Sequence, residues 1–143
     1  MPGAELLMLG AGVLFVGLLG AWHLGGILLL QKVKPSGSDR NSFAVLFTFW
    51  GLLLLHFSEI LLSAGALGVA LALPGAGEVT RGYGSGAGGL IYLAGVSFAT
   101  LGYTDQSASG PVRLLLMLIS LGGFMLITWS ATFVYTIWSE RFR

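Results

Sequence analysis

Residues 90 to 106 read LIYLAGVSFATLGYTDQ, and the fold turns on where this stretch is placed. Its first 14 residues, through Tyr103, are largely apolar, yet they run into a Thr-Leu-Gly-Tyr-Thr strip closed by Asp105. A bilayer core about 30 Å thick needs about 20 apolar residues to be crossed as a helix. A run this short reads instead as a buried, re-entrant or interfacial segment. Non-helical backbone is tolerated at membrane depth only where it is buried in protein or lines a watery cavity. Residues 89–99 are therefore expected to form a half-helix, and TLGYT to return outward as extended chain.

The rest of the sequence supplies the membrane context. Of 143 residues, 55% are hydrophobic and only 9% charged, and the mean hydropathy is +0.88. Such a composition describes an integral membrane protein. Three segments are long enough to span: 5–31, 43–73 and 112–138. The first does not read as a cleaved signal peptide, because it lacks a basic start, carries Glu5, and has too long an apolar run. There is no cysteine, which removes disulfides and thiolate metal sites.

Charge placement predicts the topology. Lys32, Lys34 and Arg40 follow the first span and Arg141 and Arg143 follow the last, so five of the seven basic residues fall on one side. The positive-inside rule then puts residues 32–42 and the C-terminus in the cytoplasm. The N-terminus and residues 74–111, with Arg81 and Arg113, lie outside, and the expected location is the cell inner (plasma) membrane. The outer segment opens with PGAGEVTRGYGSGAGG, a Pro/Gly/Ser-rich surface run.

SFATLGYTD (97–105) resembles the end of the pore helix and the selectivity filter of potassium channels, whose filter usually reads T-V-G-Y-G followed by Asp. Thr100, Leu101, Gly102, Tyr103 and Asp105 match; Thr104 stands where the second filter glycine is expected. HFSEIL in the second span and LGGFMLITWSATF in the last resemble small bacterial potassium channels with an extra N-terminal helix. The resemblance covers residues 43–138. It implies an all-α membrane protein and a homotetramer in membrane lipid. Residues 1–42 would be an N-terminal helix with its cytoplasmic loop, and 43–143 a pore domain. That domain would comprise an outer helix 43–73, extracellular loop 74–88, pore helix 89–99, filter 100–104 and inner helix 112–138.

The chemistry behind such a filter is simple. A permeating cation sheds water, and rings of backbone carbonyls must replace those oxygens. Four copies around an axis would close rings at Thr100, Leu101, Gly102 and Tyr103, with the Thr100 hydroxyl as innermost ligand and potassium as the permeant ion. The half-helix would aim its partly negative C-terminal end at a central cavity, and Asp105 would add fixed negative charge at the outer mouth. Alternating backbone handedness favours glycine in such a strip, so a left-handed Thr104 would cost about 1–2 kcal/mol. The alternative is therefore a weakly selective cation channel with a reshaped outermost ring.

The last span reads as pore-lining. Gly122 and Gly123 suit close packing or a hinge. Ser120, Gly123, Ile127, Ser130, Ala131 and Val134 share one small, mildly polar face at helical spacing, with Phe124 and Ile127 as candidate narrowing positions. The same small residues also suit close helix packing. Thr128, Thr132 and Thr136 are expected to bond their own backbone one turn back. Gly17, Ala21 and Gly25, and Ala64, Gly68 and Ala72, form small-xxx-small stripes for helix contacts.

Glu59 is an acid in an otherwise apolar span, costly unless paired or protonated. With His56 on the same face, it lies about 24 Å along the helix from Phe43. The pair is expected to brace the back of the half-helix or filter. His23 reads as an ordinary interior histidine.

Other classes fare less well. No Walker loop, H-E-x-x-H or nucleophile triad is present, so no enzyme is expected. No basic aromatic face suggests nucleic-acid binding. No soluble regulatory domain, voltage-sensor arginine series or cofactor beyond the permeant ion is expected. The rivals are a proton-coupled membrane protein using His56 and Glu59 with His23, and a non-conducting scaffold subunit.

Overall fold

The computed structural model describes residues 2–33, 42–80 and 86–141. Lys34, Arg40, Arg81 and Arg143, which carry much of the charge-side argument, lie outside the described residues. The chain forms α1 (Pro2–Val33), α2 (Ser42–Leu71), β1 (Glu78–Thr80), α3 (Ala87–Phe98), β2 (Ser107–Ser109) and α4 (Val112–Arg141). Among the described residues, three helices are long and apolar enough to cross a membrane: Gly3–Val33, Phe43–Leu71 and Val112–Ile137. Their outward faces stay apolar, as Leu14, Leu18, Leu54, Phe57 and Met125 show. This is a mostly helical, membrane-embedded protein.

The element ends follow local chemistry. Proline is tolerated in a first helical turn, where its missing N–H is not needed, and α1 begins at Pro2. α2 stops at Leu71 rather than at the expected residue 73, because Pro74 disfavours helix in the residue before it. The Ala72 N–H is shared between the carbonyls of Gly68 and Val69, both at 3.2 Å, as the helix tightens to its end. α4 meets no Pro or Gly after Gly123 and continues past residue 138.

The expected extracellular loop contains structure that the sequence does not announce. β1 pairs antiparallel with β2, with Glu78 opposite Ser109, Val79 opposite Ala108 and Thr80 opposite Ser107. The Val112 N–H adds a bond to the Ala76 carbonyl at 2.8 Å. Gly77 and Gly110, both with positive φ, lie so close that a Cβ on Gly110 would come 2.7 Å from the Gly77 Cα. The ribbon closes the neck of an excursion that contains α3 and the strip after it.

Packing fixes the helix directions. Gly12 meets Leu118, Gly122 meets Val16, and Ser130 meets His23, so α1 runs parallel to α4. Gly26 meets Leu55 and Gly51 meets Leu30, so α1 runs antiparallel to α2. α3 descends beside α2, with Leu90 against Gly68, Gly95 against Ile60 and Phe98 near His56. A buried cluster that includes Leu19, Leu67, Ala94, Phe98 and Ile119 joins all four helices. A smaller one, with Ile27, Leu52 and Leu55 packed on Phe133 and Val134, sits at the other end.

The small-residue stripes divide. Ala64 is buried and Gly68 touches Leu90 of α3. Gly17 and Gly25 have open space beside them, while Gly12 and Gly26 make the close contacts of α1.

Candidate functional site

α3 ends in a Schellman turn. The Leu101 N–H bonds the Val96 carbonyl and the Thr100 N–H bonds the Ser97 carbonyl, each at 3.0 Å. That closure needs a left-handed residue, normally glycine, just past the helix cap. Here the residue is Thr100, with φ 54°, and the next left-handed residue is Gly102 at φ 72°. Handedness thus alternates along the start of the strip. Among the described residues Thr100 is the sole non-glycine with positive φ, so the strain expected at Thr104 falls on Thr100. A β-branched residue held there costs about 1–2 kcal/mol.

Thr104 has a different job in this structure. Its Oγ1 accepts the Gln106 N–H at 3.1 Å, closing a turn at the outer end of the strip. Thr100 through Asp105 are all exposed in the single chain. Gln106, immediately after them, is buried.

The base of the strip is fastened from α4. The Ser120 hydroxyl donates to the Ser97 carbonyl at 2.6 Å. Gly123 lies against Phe98 so tightly that a Cβ would run into the Phe98 carbonyl, and Gly122 packs on Val16 of α1. The two glycines therefore face packed protein. Ser130 is also buried and Val134 packs on the smaller cluster, so the face expected to line a cavity is partly covered. Phe124 and Ile127 remain exposed on the single chain. Thr128, Thr132 and Thr136 bond carbonyls one turn back, to Phe124, Thr128 and Thr132.

Beside this lies a buried polar cluster. Glu59 Oε1 accepts from His23 Nδ1 and Oε2 from His56 Nδ1, both at 2.8 Å. His23 and Glu59 are fully buried. Ser130 Oγ lies 3.3 Å from His23 Nε2, and the Trp129 ring is 5.3 Å from His23. The two imidazoles stack at 5.4 Å, and His56 lies 5.9 Å from the ring of Phe98. The expected His56–Glu59 pair is present, and it abuts the last residue of α3 rather than the strip itself. Near it, the Trp22 indole donates to Ser58 Oγ at 3.0 Å.

Sequence reasoning named His23 only as an interior histidine or a member of the rival proton-coupled set, and Ser130 only on the cavity face; the bonding of His23 to Glu59 and its approach to Ser130 are what it missed. A signal existed for His23, since a histidine inside an apolar span needs a polar partner, and Glu59 was the available acid. Ser130 offered none, as serines back-bond locally in many helices. Compared with family models, curated proteins and solved structures, the chain matches none.

Proposed function

We propose that the chain is one subunit of a homotetrameric cation channel that conducts potassium passively through backbone carbonyls of Thr100, Leu101, Gly102 and Tyr103. The observation that carries this reading is the strip's backbone: handedness alternates at Thr100 and Gly102, at the end of an apolar helix too short to span. Alternation directs successive carbonyls along one path, which is what replacement of a hydration shell requires. The ribbon returns the chain to the side from which α3 entered. Asp105 supplies negative charge at the outer mouth, and Phe124 and Ile127 face the axis below the strip. The channel sits in the plasma membrane with its N-terminus outside and its C-terminus in the cytoplasm.

Thr104 lacks positive φ, so the outermost carbonyl departs from the alternating pattern and selectivity rests on the inner rings. A weakly selective cation channel is the neighbouring reading. The buried histidine-carboxylate cluster favours a second one, a proton-coupled membrane protein. Flux into liposomes separates them. Barium-blocked potassium uptake supports the channel, and proton flux indifferent to potassium overturns it in favour of the second reading. Reversal potentials in mixed potassium and sodium, compared between wild type and Thr104→Gly, then measure selectivity.

A further inference from the structure

We propose that His23, His56 and Glu59 form a binding site for a divalent transition metal of the zinc class, bridging α1 and α2 and steadied from α4. The site stands independently of ion conduction. Two imidazoles and a carboxylate offer donor atoms that all lie within 4.8 Å of one another. That donor set suits zinc and neighbouring first-row metals and is poorly suited to calcium or magnesium, which take oxygen ligands. Without cysteine in the chain, thiolate sites are excluded.

The surroundings are those of a built site. Buried charges are ordinarily paired or hold metals, and the contacts to the Glu59 carboxylate come from two imidazoles. His56 and Glu59 are three apart on α2, a spacing that aims both side chains the same way in helical metal sites. His23 arrives from α1. A ligating histidine characteristically hands its second ring nitrogen to a polar partner, which sets its tautomer. Ser130 Oγ occupies that position, 3.3 Å from His23 Nε2. Access is through His56, whose side chain is 20% exposed while the other two ligands are covered.

The adjustment needed is small. Zinc bonds of about 2.0–2.1 Å at tetrahedral angles hold donor atoms about 3.3 Å apart. Each imidazole, its Nδ1 now 2.8 Å from a carboxylate oxygen, opens slightly from it as the ring proton moves from Nδ1 to Nε2 and the freed Nδ1 lone pair takes the metal. This leaves the His23 Nε2–H to donate to Ser130 Oγ. The two imidazole nitrogens then approach each other. Three protein ligands leave a fourth position open, as in exchangeable rather than closed structural sites.

The test uses the full chain in lipid nanodiscs titrated with Co2+, whose visible spectrum reports tetrahedral coordination. The expected result is a single saturable Co2+ per chain, displaced by Zn2+ and indifferent to excess Mg2+. His56→Gln abolishes the tetrahedral bands, and Ser130→Ala, which keeps all three ligands, weakens affinity by about tenfold or more. The proposal is overturned if wild type shows no saturable Co2+ binding, which leaves a purely hydrogen-bonded cluster. Unchanged binding in His56→Gln also overturns it. Should His56→Gln fail to fold, unchanged affinity in Ser130→Ala has the same force. Potassium flux is measured on the same preparation, so failure of the metal site and failure of the channel reading are read separately.

Discussion

The backbone of Gly123 on α4 rests directly on the carbonyl of Phe98, the last residue of α3, with no room for a methyl group between them. Helix-to-helix approach this close is possible only at glycine, and it sets the height at which the strip begins. Gly123→Ala forces two backbones apart and is expected to destabilise the fold by about 2–3 kcal/mol. Gly17→Ala, with open space beside it, is expected to leave the thermal midpoint unchanged or slightly raised. Thermal unfolding of the two variants in detergent checks both; equal midpoints would contradict the contact.

The two strip threonines are expected to respond to glycine with opposite signs. Thr100→Gly removes left-handed strain, so stability holds or rises by up to about 1 kcal/mol after the cost of a more flexible unfolded chain. Thr104→Gly relieves no strain and loses the hydroxyl that holds the Gln106 N–H, and stability falls by about 1 kcal/mol. Chemical or thermal denaturation of both variants gives the comparison. On the channel reading, Thr100→Gly also lowers potassium flux, because the hydroxyl ligand is gone.

Ser120→Ala removes the donor to the Ser97 carbonyl. A loss of about 1 kcal/mol is expected. Hydrogen exchange of amides 99–103 should quicken while amides in α1 stay as slow as before. Uniform acceleration along the chain would argue against a local fastening.

His23 and Glu59 are expected to be energetically coupled across α1 and α2. In metal-free protein, a double-mutant cycle of His23→Gln and Glu59→Gln should return a coupling of about 1–2 kcal/mol. Additive losses would mean that their 2.8 Å contact contributes no coupling energy.

Much of this architecture was legible because membrane spans are dictated by length and hydropathy, and α1, α2 and α4 satisfy both. The shortness of the apolar run before Thr100 likewise announced α3. Pro74 bounds α2 for reasons a dipeptide carries, but the helix stops at Leu71, two residues short of the expected end. The β1–β2 ribbon was not legible, since each strand has three residues and its partner lies beyond α3. Nor could the strain at Thr100 be read from composition, because it depends on where the Schellman turn closes. His56 and Glu59 share a helix, so their meeting followed from spacing alone. Adding His23 required the register of α1 on α2, which interhelical packing decides.

The ribbon has a mechanical meaning. β1 follows α2 and β2 leads into α4, and the Val112 N–H is bonded to Ala76, so the end of α2 and the start of α4 are stitched into one piece. Any tilting of α4 away from α2 must pivot at that stitched end. The lever arm is then longest at the opposite end, where Phe133 and Val134 rest on Ile27, Leu52 and Leu55 through apolar contacts alone.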